Sequence, residues 1–248
     1  MGLLWEAKIM VHRWALLFCI SLLACAPLAA RADGLILDTE DYPPFNYVRD
    51  GVVTGISTDI LRHVLERAGV AGQINIYPWL RAYGAAQNET DTCVYSTTLT
   101  PQRRDLFKWV GPVVYNDWVL FARADAQARL ASLADVKDAV IGGYQGDAVA
   151  GYLKEQGLHV DEAVSDHFNP RKLISGRLDY WATGRLSGEV VAKQEGVVGL
   201  RVALVIKRMP LYLACSKTVS DQTIDRLNKA LASLQEEGVV DKIAASYR

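Results

Sequence analysis

The chain has 248 residues with 27 basic and 28 acidic side chains, a balance that offers no grip on a polyanion and argues against a nucleic-acid partner. Its four cysteines and four histidines show no metal-ligand spacing, so neither a metal nor another cofactor is expected.

Residues 1–32 read as a signal peptide. Lys8, His12 and Arg13 precede an apolar run from Trp14 to Ala24, and Ala30-Arg31-Ala32 fits an A-x-A cleavage site. The run is too short for a stable membrane span. Cleavage predicts a periplasmic protein from Asp33 onward, with 24 basic and 27 acidic residues once Lys8, Arg13, Arg31 and Glu6 have left. Leu22-Leu23-Ala24-Cys25 also resembles a lipoprotein signal that would anchor Cys25. Leucine directly before the alanine fits that pattern less well, and soluble export ranks first. Cys19 and Cys25 leave with the leader, so Cys93 and Cys215 remain in an oxidising compartment. A disulfide and two buried thiols are equally open there.

Leu35 to Asp38 predicts a first buried strand, and the prolines of Tyr42-Pro43-Pro44-Phe45 predict an extended segment after it. Ile60, Leu61, Val64, Leu65 and Ala68 form the stripe of a helix over 57–68 that Gly69 stops. A strand over 73–77 and a helix from Trp79 to about Gln87 lead to a central strand, Thr92 to Tyr95. Gly111-Pro112 is expected to end that unit. Beyond it come strands at 118–121 and 140–144, a short helix at 132–136 and a helix at 148–155. Asn169-Pro170 predicts a capped helix start. A helix at 187–195, separate strands at 202–206 and 211–215, and a long helix capped by Ser220 and ended by Gly238 complete the chain. Alternating strands and helices predict an α/β chain with mainly parallel sheets, which bind ligands beyond the carboxyl ends of their strands.

One stretch at such a strand end carries chemistry: Ser96 to Arg104, S-T-T-L-T-P-Q-R-R. Thr100 as N-cap, Pro101 in a first helical turn and Arg103 beside it would make a site for an anion, most simply a carboxylate. A solvated arginine on a plain strand-to-helix turn is the competing explanation.

Y-P-P-F at Tyr42, G-x-x-x-G at Gly51 to Gly55, S-T-T-L-T-P-Q-R and S-L-A-D-V-K ahead of Gln145-Gly146 together resemble the extracellular solute-binding proteins of family 3, receptors of polar amino acid transporters. The capped C-terminal helix is similar too, and the ordered set spans nearly all of the mature chain. The resemblance implies a two-lobed type II periplasmic-binding-protein-like fold, each lobe a mainly parallel sheet flanked by helices. Lobe 1 would take 33–117 and 209–248, lobe 2 would take 118–208, and two hinge crossovers would fall near Tyr115 to Trp118 and Pro210 to Tyr212. It implies a carboxylate-bearing, amino-acid-like ligand held by Arg103, with Ser96, Thr98, a stacking Trp79 and Tyr42 around it. It also implies an ABC transporter permease as partner, and a monomer is expected.

Several positions depart from the family pattern. Thr39 stands where an aspartate is frequent and Glu40 follows it; Asp147 and Ala148 replace two hydroxyl residues; Gly184 falls near a usual acid position. A standard α-amino acid is therefore in doubt, and Asp147 either caps a helix, the preferred role, or selects a positive group. Pro78-Trp79-x-Arg81-Ala82-Tyr83 is similar to a divergent subset. Arg81 is either a second cation in the cleft or a brace against Glu40, with the brace favoured. Two other functions remain: an enzyme like the cyclohexadienyl dehydratase that shares this fold, using Glu40 or Asp147 as acid or base, and a ligand-carrying accessory to a membrane sensor or partner enzyme.

Overall fold

A computed structural model describes residues 34–247. The leader over 1–32 and the lipidation position Cys25 lie outside them.

Among the described residues, ten strands and the helices that connect them build one mixed sheet and a small hairpin. In order the strands are β1 (Leu35–Thr39), β2 (Tyr47–Arg49), β3 (Val52–Thr54), β4 (Gly72–Ile76), β5 (Thr92–Thr98), β6 (Lys108–Arg123), β7 (Ile141–Tyr144), β8 (Val160–Ala163), β9 (Tyr180–Gly184) and β10 (Leu200–Cys215). The α-helices are α1 (Ile56–Ala68), α2 (Trp79–Asn88), α3 (Ala148–Glu155), α4 (Asn169–Ile174), α5 (Arg185–Gln194), α6 (Asp221–Glu236) and α7 (Val239–Ala245). The large sheet runs β4-β1-β5-β10-β6-β9-β7-β8. Both outer parts pair in parallel, β4-β1-β5 and β9-β7-β8, and the three central pairings are antiparallel. Parallel strands need covering on both faces, which the helices supply.

Besides a small cluster around Trp79, Phe107 and Tyr144, two larger sets of apolar side chains are buried. One joins Leu35–Val113 to Leu211–Leu234, with the stripe Ile60, Leu61, Val64 and Leu65 of α1 packed against Ile224, Leu227, Leu231 and Leu234 of α6. Each such side chain contributes about 1.5–3 kcal/mol when fully removed from water. The other core lies between Trp118 and Met209, on both faces of the sheet. Only β6 and β10, sixteen residues each, run through both. They pair from Leu200 with Arg123 to Cys215 with Lys108, through three register shifts.

That long ribbon corrects two expectations. The strands expected at 202–206 and 211–215 are one strand, and Pro210 sits inside it opposite Tyr115. Gly111-Pro112, expected to end a unit, lies inside β6. Pairing partners about a hundred residues away override what the local residues favour. Three shorter segments also differ. Tyr42 to Asn46 closes a turn, with Phe45 N–H donating to Tyr42 O at 2.9 Å, rather than running extended. After Thr100 the chain makes a turn and a single 3₁₀ turn, Arg104–Leu106, because β6 begins at Lys108 and leaves no room for an α-helix. Asn169 does not cap α4; its amide donates instead to Gly143 O at 2.9 Å and Asp166 Oδ1 at 2.8 Å.

Cys93 and Cys215 face each other on antiparallel β5 and β10 and are disulfide-bonded, both fully buried. The bond closes a segment of 122 residues that contains the whole second core. Replacing both by alanine is expected to lower the unfolding free energy by about 2–5 kcal/mol, read as a fall in the urea midpoint. An unchanged midpoint would mean that the cross-link restrains nothing the sheet does not already hold.

Candidate functional site

The carboxyl ends of β1, β5 and β7 meet where the two cores face each other. Glu40 follows β1, Ser96 and Thr98 end β5, and Gln145-Gly146-Asp147 connects β7 to α3. Trp79 opens α2 directly after the β4 connection. Together with Tyr42 and Arg103, the residues Glu40, Trp79, Ser96, Thr98 and Asp147 line one small chamber of about 20 Å³, room for little more than a water-sized group. Trp79 also lines two larger grooves, of about 590 and 660 Å³.

Arg103 crosses this gap. Its Nη2 donates to Gly146 O at 2.7 Å on the far side, and its Nη1 donates to Thr98 O at 3.3 Å on its own side. The guanidinium lies 5.4 Å from the Trp79 ring centre and 5.2 Å from that of Tyr83. Trp79 Nε1 donates to the same Gly146 carbonyl at 2.9 Å. Gly146 has φ 76°, a left-handed backbone that favours glycine, and a Cβ there would also press on the Trp79 ring at 3.1 Å.

Two carboxyls share the chamber with this single guanidinium. Tyr144 Oη donates to Glu40 Oε1 at 3.0 Å, a bond from the second core to the first. Burial, then the neighbouring Asp147, pushes the Glu40 carboxyl well above its ordinary range, with the Tyr144 bond opposing. Asp147 occupies the N-cap position of α3 without closing a side-chain capping bond. Burial and the charge of Asp166 push it up to about 7, while Arg103 and the nearby Ala148 and Val149 amides pull the other way. Burial also raises the phenols of Tyr42 and Tyr144, which keeps them as neutral donors.

Ser96 is re-aimed by a bulge. Thr97 pairs with Tyr212 and Val94 with Ala214, so two residues of β5 oppose one of β10, and Ser96 takes φ 57°. Its hydroxyl donates to Asn46 Oδ1 and lies 2.9 Å from Ser57 Oγ, which ties the strand end to the Tyr42 turn. Tyr42 Oη accepts from Asn116 Nδ2 at 2.8 Å, and this pair fills the space beside Gly184 that any side chain there would occupy.

Arg81 is not brought to the chamber. It is exposed and stacks 3.9 Å over the Tyr77 ring, in a separate recess with Asp38 and Glu89. Two residues along a helix turn about 200°, so a side chain two positions from Trp79 points away from it, toward neither the cleft nor Glu40. Three contributors had no marker in the sequence: Tyr144, the Gly146 carbonyl, and buried Asp166. The last is held by Trp181 Nε1 at 2.6 Å, Thr183 Oγ1 at 2.7 Å and Asn169 Nδ2 at 2.8 Å. A backbone carbonyl leaves no residue signature, and Asp166 shows only as one acid on an irregular segment.

The fold is similar to several solved structures. A histidine kinase sensor domain with similarity to periplasmic binding proteins superposes with a TM-score of 0.80 at 18% identity, covering 87% of this chain and 96% of that one. The arginine-, lysine-, histidine-binding protein ArtJ from Geobacillus stearothermophilus gives 0.76 at 17% identity, covering 86% and 94%. An ancestral arginine-binding protein bound to arginine gives 0.75 at 21% identity, covering 86% and 97%. At these identities the likeness is one of fold. No curated protein matches the sequence. Among the described residues no helix is long and apolar enough to cross a membrane. The model of the bacterial extracellular solute-binding proteins, family 3, matches residues 35–248, and the chain belongs to that family.

Proposed function

We propose that the protein is a periplasmic receptor that closes on a small amino-acid-like ligand and hands it to the permease of an ABC transporter. The two cores are then those of two lobes, 33–117 with 209–248 and 118–208, which move about the β6–β10 ribbon. Binding favours closure because only the closed form brings both lobes to the ligand. The observation that carries this is Arg103, whose guanidinium reaches from one core to the Gly146 carbonyl of the other inside a chamber with two carboxyls.

Arg103 spends part of its planar fork on Thr98 O and Gly146 O and keeps the rest for a ligand carboxylate, each charge-assisted bond contributing about 1.5–3 kcal/mol. Glu40 and Asp147 together exceed the one positive charge, and burial, with the neighbouring carboxylates second, raises their proton affinities. A ligand with an ammonium or guanidinium beside its carboxylate supplies the missing charge. Trp79 covers its apolar or cationic face. The likeness to a sensor domain favours one further reading, in which a membrane sensor detects closure. A deletion strain that keeps uptake but loses a response would select it.

A thermal-shift screen against amino acids, small carboxylates and polyamines, with mass spectrometry of co-purifying ligand, tests the class. Arg103→Ala is expected to abolish the ligand-induced rise in Tm and weaken binding at least about tenfold, with the circular dichroism unchanged. Equal stabilisation of variant and parent would remove the clamp.

The raised carboxyls set a direction with pH. A cationic ligand prefers Asp147 ionised, whereas below about pH 7 the unliganded chamber holds it protonated, so binding releases a proton. Relative to Asp147→Asn, the parent should gain affinity for an amine-bearing ligand as pH rises through about 7, and the gain should level off above. Calorimetry in buffers of different ionisation enthalpy should find the parent releasing more protons on binding than Asp147→Asn; equal proton counts would contradict the assignment.

A further inference from the structure

We propose that His167 is a proton-operated tie across the mouth of the cleft, holding the lobes together at low pH and letting go as pH rises. It rests on the hinged reading above. His167 lies on a single 3₁₀ turn (Asp166–Phe168) beside the second core. Its Nε2 is 3.5 Å from Asp41 Oδ2, on the segment after β1, and its Nδ1 is 3.2 Å from Glu195 Oε1, at the end of α5. A neutral imidazole carries one N–H and serves one carboxylate; only the imidazolium donates to both. The two carboxylates belong to opposite sides of the gap.

The second-lobe partner is anchored. Arg171 of α4 lies 3.2 Å from Glu195 Oε2 through its Nε, and its Nη2 donates to Glu195 O at 3.3 Å. Asp41 has no such anchor and keeps 52% of its side chain exposed. The remaining groups around the ring add no second cation. Asp166 is next in the chain and saturated by its own donors, and the same mouth is lined by Glu40, Gln194 and the phenols of Tyr42, Tyr47, Tyr77 and Tyr144. The surroundings are therefore short of positive charge. The Asp41 contact foremost, then Glu195, raises the proton affinity of the ring above its ordinary value near 6.5, against the opposing effect of burial.

Opening carries Asp41 away and leaves Glu195 in place, so the ring binds its proton less tightly in the open form. Closure takes up a proton. The contribution is fully present below the open-form value and is lost as pH rises through the raised closed-form value. The ring retains 29% of its side-chain surface, so added salt weakens the tie as well.

Solution scattering and ring-proton magnetic resonance on the full chain, from about pH 5.5 to 9, test the tie. The parent should expand as pH rises, and Asp41→Asn and His167→Gln should each lose at least about half of that expansion, the rest belonging to the chamber carboxyls. Asp41→Asn should also lower the His167 titration midpoint. Variants that expand like the parent, or a parent ring that titrates at its ordinary value, would overturn the tie. A parent radius that never changes while the ring titrates as expected would instead sink the hinged reading, and the tie with it.

Discussion

The carbonyl of Gly146 accepts two hydrogen bonds from across the gap, one from the Trp79 indole and one from the Arg103 guanidinium. A carbonyl oxygen has two lone pairs, and here both are taken by the side of the molecule that carries the first core. This junction fixes how the rest is arranged. It favours a glycine, because the backbone is left-handed there. The Trp79 ring lines both larger grooves, and the junction pins one end of the guanidinium inside the chamber that Glu40 and Asp147 also line. The turn that carries Gly146 is itself closed by Asp147 N–H donating to Tyr144 O at 3.2 Å. The residues of that short connection thus supply the acceptor, an acid and the phenol that bonds Glu40.

Local sequence rules read well wherever the deciding contacts are local. The stripe of α1 and its stop at Gly69, the Ser220 cap and the 148–155 helix all depend on residues within one or two turns. They fail on the ribbon. Pro210 and Gly111-Pro112 carry breaker signals, yet each lies in a strand held by a partner about a hundred residues away. The helix expected after Thr100 fails for the opposite reason, since a strand starting at Lys108 claims the chain first.

The chamber was legible to a similar degree. Glu40, Ser96 and Thr98 could be placed because strand ends collect function in α/β sheets, and Arg103, Trp79 and Tyr42 because their motifs resemble a family. Arg81 was readable too, had the 100° step of a helix been applied to its distance from Trp79. Tyr144, Asp166 and the Asn116–Tyr42 pair were not, because they depend on how the two cores meet, which no window of sequence contains.

On the proposed reading, in which two lobes close on a cationic ligand, the two proton-linked elements act on the same motion with opposite sign. Closing the lobes raises the proton affinity of His167 at the rim, so closure alone binds protons there. A cationic ligand does the reverse in the chamber, where it expels the proton that burial keeps on Asp147. Closure without ligand is therefore favoured by acid, whereas closure around a cation exchanges one proton gained for one lost. Ligand-driven closure becomes the less pH-sensitive of the two. A receptor built this way holds a cationic cargo over a wide pH range while its unloaded form opens more readily as the surroundings become alkaline.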